Sequence, residues 1–193
     1  MKALKYLAVL FAFLGFLMVG CSDKTQSPVA PSDQSIQEQS SLEKCIITHF
    51  TETHYPVAIL DPGSVRLVNG KWIMKKIEVK ERLDASTPLG TGFMVHKLSG
   101  IMDYYTGEGP VWGTFTITLD VNTNGGVWEG TYTGWRSKKP GSDTLFTLPL
   151  KVVGHGKGGT LRGMKIFIND VITAWGTPPV GWYGGGEGFY KSH

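Results

Sequence analysis

This chain has little that could be cross-linked, little charge of either sign and no long apolar run. Its two cysteines in 193 residues are too few for a disulfide framework. Asp, Glu, Lys and Arg make up 18% of the residues and the formal net charge is +3. A nucleic-acid partner requires a clustered basic excess, so that class is excluded. The N-terminal apolar run, Tyr6 to Val19, is shorter than the roughly 20 residues a membrane helix needs. No window beyond residue 21 carries a helical period. What is abundant is glycine: of the 26 in the chain, only Gly15 and Gly20 precede Gly63, and the rest lie between Gly63 and Gly188. Interior glycine costs a helix about 1 kcal/mol relative to alanine, and no every-third-residue repeat points to collagen.

The N-terminus predicts export. Lys2 and Lys5 precede the apolar run, which ends in Leu17-Met18-Val19-Gly20-Cys21 followed by polar Ser22-Asp23. This resembles the bacterial lipoprotein cleavage box, in which a small residue precedes the cysteine. The resemblance implies that residues 1–20 are a signal peptide and that Cys21 is acylated and becomes the first mature residue. It places the chain in a bacterial cell envelope, held by lipid at the outer membrane or cell surface. Lipidation leaves Cys45 without a partner, and next to Ile46 and Ile47 it reads as a small apolar residue. Loss of Lys2 and Lys5 with the leader brings the 19 basic residues close to the 16 acidic ones.

Residues 21–45 then form the lipidated cysteine and a flexible tether. Ser22 to Lys44 is rich in Ser, Gln and Pro and would hold the domain roughly 25–30 Å from the lipid. From Ile46 the period is two, so residues 46–193 form the folded domain. Val111, Gly113, Phe115, Ile117, Leu119 and Val121 alternate with Trp112 and a row of threonines. Asn122 to Gly126 turns the chain, and Val127 to Trp135 returns. Ser64–Val68 and Lys71–Leu83 flank Asn69-Gly70, a strong hairpin signal; Ile73, Ile77, Val79 and Leu83 share a face of the second strand. Further strands are expected at Thr91–Leu98, Thr144–Val153, Leu161–Asn169 and near the C-terminus. Eight or so sequential hairpin strands predict an all-β fold, an antiparallel β-barrel of about eight strands.

Glycines at i, i+2 spacing, such as Gly154/Gly156/Gly158 and Gly184/Gly186/Gly188, share a strand face. They either let the strands coil and make room for a large side chain, tryptophan above all, or open a ligand cavity. Gly154-His155-Gly156-Lys157-Gly158-Gly159 is not a phosphate loop, because a strand rather than a helix follows.

The runs GTFTITLDVNTNGGVWEGTYTGW and VVGHGKGGTLRGMKIFI resemble the glycine-rich barrels of the allene oxide cyclase and dirigent type. They are also similar to bacterial exported proteins with the same Gly-x-Trp-Glu-Gly rhythm. The resemblance implies an eight-stranded, often trimeric barrel with a central cavity for an apolar small molecule. No catalytic residue of that family matches a position here, so its activity does not carry over.

His49 and His54 would face opposite ways on a strand, so no metal site is expected, and no cofactor. Glu129, in phase with Val127, Thr131, Thr133 and Trp135, is the candidate inward carboxylate: in an apolar cavity its pKa would rise and it could serve as acid or base. Arg136 opens a basic loop, Arg136 to Gly141, that could meet an anionic ligand. Trp112, Trp128 and Tyr132 could share an outward threonine-rich face and form a stacking platform. These readings describe an envelope-anchored lipoprotein that binds an apolar or amphipathic small ligand or plays a structural role. The alternative is a cofactor-independent cyclase- or isomerase-like enzyme using a buried carboxylate.

Overall fold

The computed structural model describes residues 45–176 and 179–192. Residues 1–44, which hold the expected signal peptide, Cys21 and the expected tether Ser22–Lys44, lie outside the described residues. Nine strands follow in chain order: β1 Ile46–Asp61, β2 Ser64–Val68, β3 Lys71–Ala85, β4 Thr91–Asp103, β5 Gly109–Leu119, β6 Val127–Lys138, β7 Leu145–Lys157, β8 Lys165–Trp175 and β9 Gly181–Ser192. The only helical element among the described residues is one 3-10 turn, Gly159–Leu161.

From β3 to β9 each strand pairs antiparallel with the next, and β1 closes the sheet by pairing with both β9 and β3. The product is an eight-stranded antiparallel barrel with β2 as an extra strand. β1 is steeply staggered: Ile46–His54 pair with β9, whereas Glu52–Asp61 pair with β3. β2 then continues along the same edge of β3, with Ser64–Val68 opposite Lys75–Lys71. The break between them falls at Gly63, whose φ is +58 and where a Cβ would sit 2.3 Å from the Lys75 carbonyl oxygen. The exposed edge carries Val57, Ile59, Leu60, Val65 and Leu67, interrupted by Asp61, Pro62 and Arg66, residues that discourage edge-to-edge pairing.

The expected hairpins form, with β4, β7 and β8 extending several residues past their predicted ends. The shared face proposed for β3 needs correction. A bulge between Met74 and Ile77, with Lys76 at φ +55, reverses the alternation. Met74 therefore points inward where Ile73 was expected. Beyond the bulge the inward series is Ile77, Val79, Glu81 and Leu83.

The two barrel ends differ. At the end where β1 begins, Phe50, Leu89, Trp128 and Leu161 are buried, and the Trp128 and Tyr190 rings lie 5.9 Å apart. A shallow cleft at this end is lined by Leu89, Leu119, Trp128, Leu161, Met164 and Tyr190. The candidate site lies toward the other end.

Candidate functional site

The site is built on glycine. The inward positions of β9 are Trp182, Gly184, Gly186, Gly188 and Tyr190, so three consecutive inward side chains are missing. In register, Phe50, Glu52 and His54 of β1 lie opposite Gly188, Gly186 and Gly184. On the far side of β9, the same glycines pair with Ile168, Asp170 and Ile172 of β8. Side chains from β1 can therefore cross β9 and meet β8. A Cβ on Gly184 would lie 2.0 Å from His54 Nε2, and one on Gly188 would lie 2.4 Å from Phe50 Cζ. The same device operates at Gly113, where a Cβ would lie 2.4 Å from the Tyr132 hydroxyl oxygen. Tyr132, on β6, thereby crosses β5 to reach His96 on β4.

What meets across these gaps is a buried polar cluster. His54 donates from Nδ1 to Glu81 Oε2 at 2.6 Å and from Nε2 to Asp170 Oδ2 at 3.1 Å. The Trp182 indole N–H donates to Glu81 Oε1. His96 Nε2 lies 3.3 Å from that same oxygen, near enough for an ion pair but not aligned as a hydrogen bond. His96 Nδ1 shares a hydrogen bond of 3.0 Å with the Tyr132 hydroxyl. Glu81 is fully buried, and Glu52, His54, His96 and Asp170 are each at most 5% exposed.

Burial disfavours charge on each of these groups, and their mutual contacts decide which keep it. For Glu81, burial alone would raise the pKa, but contacts with His54 and His96 outweigh it and hold the carboxyl far below its ordinary value. For His54, burial alone would lower the pKa, but the hydrogen bonds to Asp170 and Glu81 outweigh it and keep the imidazolium. Glu52 has no such bond: burial, with smaller contributions from the Asp170 and Glu81 charges against the attraction of His54, pushes it up from 4.5 to about 7.

That shift has a stability consequence. A carboxyl whose folded pKa is raised favours the fold while protonated, below about 4.5, and loses that advantage as pH rises through about 7. In chelator-treated protein, Glu52→Gln should therefore stabilise the chain by about 2–3 kcal/mol at pH 8 and by almost nothing at pH 4. Paired denaturant titrations at the two pH values measure this.

His96 also lines a cavity at the opposite end of the barrel, where β4, β6 and β8 end and β5, β7 and β9 begin. The cavity is small, about 40 Å³, and is walled by Leu98, Val111, Leu148 and Ile172, by the rings of His96 and Trp182, and by Pro179 beside them. Arg136 also lines it: the guanidinium donates to the carbonyls of Gly107 at 2.6 Å and of Gly176, and stacks 3.5 Å from the Phe146 ring centroid. Burial lowers its pKa to about 10.

The candidates from the sequence are placed as follows. Glu129 points outward: the inward residues of β6 are Trp128, Gly130, Tyr132, Gly134 and Arg136, and Glu129 lies half-exposed between Thr116 and His155 on the outer face. Val127 and Trp135, which share its phase, do not mark the inner face: Trp135 is 54% exposed, and Trp128 and Tyr132 are the aromatic residues that point inward. The outward platform does not exist, because Trp128 is fully buried and Tyr132 is 5% exposed; only Trp112 faces out. Arg136 is not in a solvated loop but at the buried end of β6, which continues to Lys138. Of the six tryptophans, Trp72, Trp128 and Trp182 pack against the core, while Trp112, Trp135 and Trp175 are exposed. The glycine gaps are occupied mainly by Phe50, His54, Phe115 and Tyr132. Cys21 lies outside the described residues.

Five cluster residues (Glu52, His54, Glu81, His96 and Asp170) were not singled out from the sequence as members of a site. Their signal was phase: Phe50-x-Glu52-x-His54, Val79-x-Glu81-x-Leu83 and Ile168-x-Asp170-x-Ile172 place a titratable residue on an apolar face. Comparison of the chain with protein families, with curated proteins and with solved structures finds no match.

Proposed function

We propose that this chain is an exported lipoprotein, lipidated at Cys21, whose barrel binds a small amphipathic molecule at the end where Trp182 and Arg136 lie. The observation that carries the binding reading is His96. Its ring lines a cavity whose other walls are mostly apolar, and its Nε2, buried 3.3 Å from Glu81 Oε1, makes no aligned hydrogen bond. A turn of the ring toward a polar ligand group would give Nε2 the aligned hydrogen bond it lacks beside Glu81, and a buried polar atom gains from such a bond. A short apolar tail suits Leu98, Val111, Leu148 and Ile172, and a polar head suits His96. Hexanol and hexanoate are suitable probes, with fluorescence of Trp182 beside the cavity as readout. Saturable binding is expected in the full chain in detergent, weakened at least tenfold by Leu148→Phe, which fills the space. Equal binding by Leu148→Phe, or no saturation at millimolar probe, would count against the pocket.

A second reading, acid–base catalysis of the cyclase or isomerase kind, draws support from the continuity of His54, Glu81 and His96. In that reading the buried carboxylate is Glu81, acting through His96 at the cavity, and not Glu129. A catalysed proton transfer would incorporate solvent deuterium into a bound carbon acid, and Glu81→Gln would abolish it. A simple binder incorporates none.

A further inference from the structure

We propose that Glu52, His54 and Asp170 form a binding site for one divalent first-row metal ion, zinc foremost, that ties β1 to β8 across the glycine gap in β9. One ligand atom from each of the three lies within 4.8 Å of the others, and all three residues are buried. Two oxygens of the cluster, Glu52 Oε2 and Asp170 Oδ1, have no hydrogen-bond partner and are shielded from solvent. Unpartnered carboxylate oxygens are costly to bury, and a cation is the partner that would satisfy both.

The orientation of His54 supports the same assignment. Its Nδ1 donates to Glu81 at 2.6 Å, and its Nε2 points at Asp170 from 3.1 Å. A metal-ligating histidine commonly donates its other ring N–H to a carboxylate, which fixes the ring and raises its basicity. Glu81 occupies that supporting position. On binding, the ion takes the place of the Nε2 proton of His54, which leaves to solvent together with any proton on Glu52. Nε2 and one oxygen each from Glu52 and Asp170 then become ligands. Drawing the three atoms to the roughly 3.3–3.6 Å separations of a tetrahedral site needs about 1 Å of side-chain movement. One imidazole with two carboxylates favours zinc, cobalt(II), iron(II) or manganese(II) over calcium and magnesium, which prefer oxygen alone. Gly186, which pairs with both Glu52 and Asp170, puts no side chain between them.

The test uses the full chain in detergent, stripped with chelator and then incubated with Zn²⁺ or Co²⁺. About one equivalent should stay bound through gel filtration, and the thermal midpoint should rise with metal concentration. The cobalt form should show the intense visible absorption of a four-coordinate ion with a nitrogen ligand. Glu52→Gln and Asp170→Asn should each weaken binding at least tenfold, while His49→Gln with His155→Gln, both exposed, should leave it unchanged. Failure to retain metal, or equal retention by the Glu52 and Asp170 variants, would overturn the proposal. If those variants do not fold, the wild-type cobalt spectrum decides: a weak, six-coordinate, all-oxygen spectrum contradicts it.

Discussion

Gly184→Ala is expected to destabilise the protein by about 3–5 kcal/mol and to dismantle the His54–Glu81 pair. A Cβ at this position would lie 2.0 Å from His54 Nε2, 2.4 Å from Cε1 and 2.9 Å from Cδ2. The ring cannot move aside cheaply, because carboxylates hold it from both nitrogens at 2.6 and 3.1 Å. Swinging it away would leave Glu81 and Asp170 buried and short of their cation, which itself costs several kcal/mol. Alanine adds no such conflict with strand structure, so the loss would report the crossing of β9 rather than a general intolerance of side chains. The neighbouring Tyr183→Ala is the control. Tyr183 faces outward and is 56% exposed, and its replacement should cost less than about 1 kcal/mol. Denaturant midpoints of the two variants measure the contrast.

Glu81→Gln should be comparably severe, about 3–5 kcal/mol, since it removes the one carboxylate that joins two histidines and an indole. Glutamine keeps the shape and loses the charge, so His54 would retain Asp170 alone as a hydrogen-bonded counterion. The signs of the two shifts set the pH dependence in chelator-treated protein. Glu81 has a depressed folded pKa, so its contribution is complete above its ordinary 4.5 and is lost as pH falls toward the folded value. His54 has an elevated folded pKa, so its contribution is complete below its ordinary 6.5 and is lost as pH rises through the folded value. The gap between wild type and Glu81→Gln should therefore be widest between pH 4.5 and 6.5 and narrow on either side.

Much of the barrel was legible in the sequence, because turns and alternation are local properties. Asn69-Gly70 and Asn122–Gly126 marked two hairpins, and the alternation from Val111 onward set the face of β5 correctly. The meaning of the glycines was legible only in part. Their i, i+2 spacing announced vacant inward positions, but the tenants depend on register between strands far apart in the chain. That His54 lies over Gly184 follows from β1 closing onto β9, a pairing that no local pattern encodes.

The polar cluster was missed for a related reason. Treating charge as a sign of solvent assigned Glu81 no place beside Val79 and Leu83, although alternation puts all three on one face. The bulge at Lys76 hid this further, by shifting the phase of the first half of β3. Glu129 shows the converse error: its neighbours Gly130 and Gly134 face inward but are silent in a hydrophobicity pattern, and Val127 is a weak guide beside Trp128 and Tyr132. A titratable residue in phase with apolar neighbours is the informative signal in such a chain, more so than one flanked by glycines.

His96 as the polar contact of a ligand pocket, at the barrel end where Trp182 and Arg136 lie, is the central proposal. Imidazole nitrogen NMR of the full chain, titrated with hexanoate and with hexanol, addresses this directly. The account predicts that the His96 resonances shift saturably with at least one of the two probes, that exposed His49 and His155 do not, and that Leu148→Phe suppresses the shift. A His96 signal indifferent to both probes, or moving no more than those of His49 and His155, would contradict it.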